Sequence, residues 1–152
     1  MRTIKDMTPE MNLLTKTFMR FTQISKRPMD FGVGINIFPA EIHTVERLCE
    51  RGPMSITELA ESSGVTKGAM SQLVSKLIKK GLAYRETDPD NLSKHQIIPT
   101  ELGLKAHEGH MRFHMEHDKD FFDYIANLDP EKYAFFKELC HKMDAWMSTY
   151  SL

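Results

Sequence analysis

Four histidines fall within eleven residues of this 152-residue chain: His107, His110, His114 and His117. Imidazole nitrogens bind borderline divalent metals such as zinc, and residues four apart on a helix share one face. His110 and His114 have that spacing, and His107 lies on the same side. His43 stands in an earlier helical segment, two residues after Glu41. Phe113 and Met115 interrupt the cluster, so packing against an apolar surface accounts for some of these rings equally well. Hydrolytic zinc chemistry does not fit. His107-Glu108-Gly109-His110 lacks the H-E-x-x-H spacing, and His114-Met115-Glu116-His117 lacks H-x-x-E-H. Cys49 and Cys140 have no C-x-x-C spacing and no paired base, and read as reduced thiols packed in an apolar interior. No glycine-rich phosphate loop follows a strand. The expectation is therefore a protein that is not an enzyme.

A second chemistry lies in the distribution of charge. The net charge is −1, but residues 62–85 hold no acid and five bases: Lys67, Lys76, Lys79, Lys80 and Arg85. Residues 1–61 hold eight acids and eight bases, and residues 101–152 hold ten acids and six bases. Fields in physiological salt act over about 10 Å. A short basic stripe can therefore engage phosphates while the chain as a whole stays near neutral.

The elements that must position these groups are mostly helical. Residues 8–27 predict a helix capped by Thr8, with Pro9 at its first position and Met11, Leu14, Phe18, Phe21 and Ile24 on one face. Met29 to Pro39 reads as a loop, and a second helix follows over about 40–51. Ser55-Ile56-Thr57-Glu58 is a capping box that opens a short helix. Ser62-Ser63-Gly64 is a tight connection, and Thr66 caps the next helix, which runs to Lys80 and stops at Gly81. Its apolar stripe is Met70, Leu73, Val74, Leu77 and Ile78. Two helices joined this way form a helix-turn-helix. The stretches 82–87 and 95–99, around Asp88-Pro89-Asp90-Asn91, predict a hairpin, which in this position is a wing. A long helix over 101–126 and a last one from Asp129-Pro130-Glu131 to about 148 complete the chain.

With its buried stripe removed, the helix at 66–80 presents Thr66, Lys67, Gly68, Ser71, Gln72, Ser75, Lys76 and Lys79. Short hydroxyls, one amide and lysines without any acid fit entry into the DNA major groove better than an ordinary solvated face, which mixes both signs. Gln72 can pair with adenine, the lysines neutralise phosphates, and Gly68 lets the helix N-terminus approach the DNA backbone. Ser55, Arg85, Lys94 and His95 complete the expected DNA-binding set.

The terminal helices carry more apolar surface than a winged core of under 70 residues can cover. Met11, Leu14 and Phe18 at one end, with Phe136, Leu139, Met143 and Trp146 at the other, are expected to pack against a second copy in a symmetric dimer. Residues 1–37 and 101–152 are thus assigned as a helical dimerisation region and 38–100 as the winged-helix DNA-binding domain. The fold class is mainly α (α+β). No apolar run is long enough to span a bilayer, no secretory leader is evident, and a cytoplasmic location is expected.

Residues Pro53 to Gly103 resemble the MarR family of transcriptional regulators. The resemblance is carried by Gly52-Pro53-Met54-Ser55-Ile56-Thr57-Glu58-Leu59-Ala60, Val65-Thr66-Lys67-Gly68-Ala69-Met70-Ser71, Leu77-Ile78-Lys79-Lys80-Gly81-Leu82, and Asp88-Pro89-Asp90 leading to Thr100-Glu101-Leu102-Gly103. It implies a homodimer binding a near-palindromic duplex operator, usually a repressor whose affinity is set by a small effector in the cleft between the dimerisation and winged-helix regions. The family's usual wing-tip arginine is replaced by Leu92, with Lys94 as the nearest substitute. Lysine lacks arginine's planar fork, so a weaker wing readout is expected. Zinc-responsive members of the family are similar in placing one histidine in the second helix and two, four apart, in the fifth. The resemblance thus implies a possible zinc or other divalent-metal cofactor on His43, His110 and His114, with Asp30 or Glu41 as the carboxylate and Glu108 as a weaker choice. An organic effector and no effector at all stay open beside it. So does a winged-helix protein-interaction module that does not read DNA.

Overall fold

The computed structural model describes residues 2–88 and 91–150, without the side chains of residues 88 and 91–94. Among these are seven helices and one hairpin: α1 (Ile4–Ile24), α2 (Pro39–Arg51), α3 (Ile56–Ser63), α4 (Lys67–Lys79), β1 (Ala83–Asp88), β2 (Asn91–Pro99), α5 (Glu101–His117), α6 (Lys119–Ala126) and α7 (Pro130–Ser148). The chain divides into two compact units, Met1–Met111 and Arg112–Leu152, and the boundary falls inside α5.

In the first unit, α1 starts earlier than its sequence predicts. Thr3 caps it in a reciprocal box with Asp6, and Pro9 lies inside the helix rather than at its start. Thr8 is helical, and its hydroxyl donates to the Ile4 carbonyl at 3.1 Å. The capping box satisfies otherwise orphaned N–H groups and outcompetes the proline signal. Residues 29–37, expected as a plain loop, are closed by a bridge in which Met29 and Ile37 exchange two backbone bonds of 2.9 Å.

The helix-turn-helix follows the sequence closely. Ser55 and Glu58 form the expected box at α3, and Gly64 ends it in the left-handed region at φ 63°. The Thr66 hydroxyl accepts from the Ala69 N–H at the start of α4. Core side chains converge around it: Ile42, Val45 and Leu48 of α2, Leu59 and Ala60 of α3, Met70, Val74 and Leu77 of α4, Leu82 just before β1, and Ala83 and Ile97 from the hairpin. The α4 stripe is narrower than expected, because Leu73 is half-buried and Ile78 exposed.

β1 and β2 pair antiparallel from Ala83↔Pro99 to Thr87↔His95, with a register shift after Thr87. Met54, just before α3, exchanges backbone bonds of 3.2 and 2.8 Å with Ile97, tying the base of the hairpin to the helix-turn-helix. Two glycines of α5 admit neighbouring backbone. A Cβ on Gly103 would lie 2.1 Å from the Leu82 carbonyl oxygen, and one on Gly109 would lie 1.9 Å from that of Phe31.

In the second unit the long helix expected over 101–126 is broken at Asp118, where α5 ends and α6 begins. No glycine or proline marks the break. Asp118 engages the His114 ring one turn back, and such local side-chain bonding competes with helix continuation. Asp129 caps α7, accepting from the Lys132 N–H at 2.9 Å. Neither α6 nor α7 has a buried residue, and α1 of the first unit has none either. Cys140 is exposed rather than packed. Cys49 is half-buried, and burial, with Glu46 and Glu50 nearby, pushes its thiol above the usual range. No described helix is long and apolar enough to cross a membrane.

Candidate nucleic-acid interface and histidine cluster

The outer face of α4 is assembled by its cap and by its buried stripe. Met70, Val74 and Leu77 face the core, so Lys67, Gly68, Gln72, Ser75, Lys76 and Lys79 are turned to solvent, with Ser71 half-buried. A Cβ on Gly68 would meet nothing within 4 Å, so this stretch of α4 is open to an approaching backbone. The Ser75 hydroxyl donates to the Ser71 carbonyl at 2.9 Å, leaving its oxygen able to accept. Thr66 is exposed, and its hydroxyl is engaged as the cap. Ser55 plays the same part for α3, accepting from the Glu58 N–H. Arg85 is exposed on β1. His95 is exposed on β2, with Nδ1 3.2 Å from the Thr87 hydroxyl. The Leu92 and Lys94 side chains lie outside the described residues.

Lys80 does not share this face. Its ammonium donates to the Asn36 carbonyl at 2.8 Å and to the Glu41 carboxylate at 2.6 Å. Glu41 is 2% exposed and also accepts from the Phe38 N–H at 2.8 Å. One of the five bases of the acid-free segment is therefore spent on holding the end of α4 against α2. Sequence could have flagged this pair only through Glu41, an acid in the first turn of α2.

Of the histidines expected together, His43 and His110 are brought together, with ring centroids 5.3 Å apart. His110 is 3% exposed, and Phe31 presents to it edge-on at 5.1 Å. His114 belongs to the second unit, where it pairs with Asp118. His117 stacks on Phe113 at 4.0 Å. Glu41 is committed to Lys80. Asp30 accepts from the N–H groups of Gly32, Val33 and Gly34 at 2.8, 2.9 and 3.1 Å. Those bonds, from Val33 and Gly34 foremost, hold its carboxyl below the usual range. Glu108 is exposed. A carboxylate that lies beside His107 and His110 is that of Glu46, whose ligand atom falls within 4.8 Å of theirs. Sequence reading missed it, although its position three residues after His43 places both on one side of α2.

A separate small cavity of about 180 Å³ lies between α2 and α4. It is lined by His43, Thr44, Arg47, Ser63 and Met70 among others. The Ser63 hydroxyl is buried without a hydrogen-bond partner.

Residues 37–92 match the sequence model of the MarR family. An uncharacterised HTH-type transcriptional regulator of Bacillus subtilis, YhjH, is 25% identical over 126 residues, spanning 83% of this chain and 71% of that protein. Among solved structures, the zinc-responsive MarR family member ZitR of Lactococcus lactis has a TM-score of 0.71 at 11% identity, covering 93% of this chain and 99% of its own. BpsR of Bordetella bronchiseptica, whose DNA binding is regulated by 6-hydroxynicotinic acid, has a TM-score of 0.63 at 17% identity, covering 88% and 96%. At such identities the structural likeness speaks for the fold. Taken with the match of residues 37–92 to the MarR sequence model, it gives the chain a winged helix-turn-helix fold similar to that of MarR-family transcriptional regulators.

Proposed function

We propose that this protein is a dimeric, effector-responsive repressor that reads a near-palindromic duplex operator with α4. The observation that carries the reading is the exposed face of α4, where Lys67, Gln72, Ser75, Lys76 and Lys79 stand without an acid. Lysines supply phosphate contacts and register, and Gln72 supplies a base-edge contact. Dimerisation is supported by the apolar side chains that α1 and α7 leave uncovered in one chain, including Met11, Leu139 and Trp146. Residues 1–37 and 101–152 supply the dimer, residues 38–100 the DNA contacts, and the protein works in the cytoplasm. The test is binding to a genomic operator pool at rising salt. Affinity falling steeply with salt, at half-sites about 34 Å apart, supports the reading. Absence of salt-sensitive duplex binding overturns it.

Two kinds of effector have support. The cavity behind α4, with its unsatisfied Ser63 hydroxyl and the Arg47 side chain, suits a small organic ligand. BpsR shows that a protein of this fold responds to such a compound. A zinc-gated form using His43, His110 and His114 is favoured by the close approach of the His43 and His110 rings and by the zinc response of ZitR. Loss of zinc-dependent DNA affinity in His110→Ala and His114→Ala would separate the second from the first.

A further inference from the structure

We propose that Glu46, His107 and His110 form a divalent-cation site that staples α2 to the first half of α5. The three donors are one carboxylate oxygen and two imidazole nitrogens, all within 4.8 Å of one another. That separation is what three ligands around one ion at about 2.1 Å can span after small rotamer changes. An N₂O set of this kind suits zinc, nickel or cobalt and leaves a coordination position for water or a further ligand.

Burial adds to the case. His110 is almost wholly inside the protein, and Glu46 and His107 are half-buried. Nδ1 of His107 has no contact with solvent and no hydrogen-bond partner. Buried polar nitrogens ordinarily take a partner, and this one stands beside a carboxylate and a second imidazole that could share an ion with it. His107 and His110 are three residues apart on α5, on adjacent ridges of one face. Glu46 comes from α2, whose other side carries Ile42, Val45 and Leu48 into the core under α4. An ion here would therefore brace the helix on which the DNA-reading helix rests. The set includes neither His43, Asp30 nor Glu41. It shares His110 with the histidine set considered above, so the two sets are alternatives for that ring.

The test uses the full chain stripped with a chelator and titrated with zinc alone against a competing chelator of known affinity. Glu46→Gln, His107→Gln and the double variant His43→Gln/His114→Gln are compared, with circular dichroism as the check on folding. The expected result is one equivalent bound by the wild type. Glu46→Gln and His107→Gln should each weaken it at least about tenfold, the scale of a lost partner at a metal. The zinc-induced rise in melting temperature should shrink with them. The double variant should keep its equivalent. Unchanged affinity in both Glu46→Gln and His107→Gln overturns the proposal. So does loss of binding in the double variant alone, or no zinc uptake by the wild type at micromolar concentration. Salt-sensitive duplex binding by the stripped protein is scored separately, so the site can fail while the DNA-reading function stands.

Discussion

Lys80 closes α4 by donating to the carboxylate of Glu41 across 2.6 Å, with the Phe38 ring 5.2 Å from the same ammonium. The carboxylate is 3% exposed and the lysine side chain 27%. Truncating one partner of so sheltered a pair leaves the other charge without its counterion. Lys80→Met should therefore cost about 2–4 kcal/mol of unfolding free energy, less than a fully buried pair because water still reaches the lysine. Adding Glu41→Gln should recover part of that loss. Urea denaturation of the two single variants and the double measures the coupling. An additive double variant would show that the pair contributes nothing.

Gly68 separates stability from DNA affinity. Its position is open, and a helical glycine costs roughly 0.5–1 kcal/mol relative to alanine. Gly68→Ala should raise the melting temperature while weakening duplex binding, because the added methyl holds the start of α4 away from phosphate. A variant that is both more stable and equally tight would remove Gly68 from the interface.

Gln72 and the lysines should fail differently. Gln72→Ala should cost about 1–3 kcal/mol on the preferred operator and relax preference at one base pair. Lys67→Ala or Lys76→Ala should weaken all duplexes alike and lower the salt slope by about one. Fluorescence anisotropy on matched and scrambled duplexes distinguishes the two patterns.

Asp30 gives a pH signature. Its carboxyl is held below its usual range by backbone N–H bonds from Val33, Gly34 and Gly32. A depressed carboxylate stabilises the fold above its unfolded pKa of about 3.9. That contribution fades as pH falls through the lower folded value. The melting-temperature difference between wild type and Asp30→Ala should be full at pH 7 and shrink below pH about 4. A difference that stays constant down to pH about 2 would assign the effect to loop geometry alone.

The helix-turn-helix was legible because its signals are local: Ser55 with Glu58, Gly64, Thr66 and the spacing of Met70, Val74 and Leu77 each act within one or two turns. The starts and breaks that were misread depended on competition. Thr3 and Thr8 are both plausible caps, and only the reciprocal bond with Asp6 decides between them. The break at Asp118 has no glycine or proline to announce it. The histidine cluster was legible as a grouping on α5, but its neighbouring acid was not. Spacing along a chain could not reveal that Glu41 and Asp30 were already engaged, nor that Glu46 was within reach.

Gly103 and Gly109 have a mechanical consequence. They sit six residues apart, so they face directions about 120° apart around α5. Each receives a carbonyl oxygen where a methyl would collide, Leu82 on one side and Phe31 on the other. Sliding α5 by one residue, about 1.5 Å, would drive side chains into both carbonyls, and so would turning it. The first ten residues of this helix are keyed like a shaft in two slots. Along them, sliding or turning against the packed carbonyls is resisted sterically, which leaves tilting of the keyed body as the easier motion.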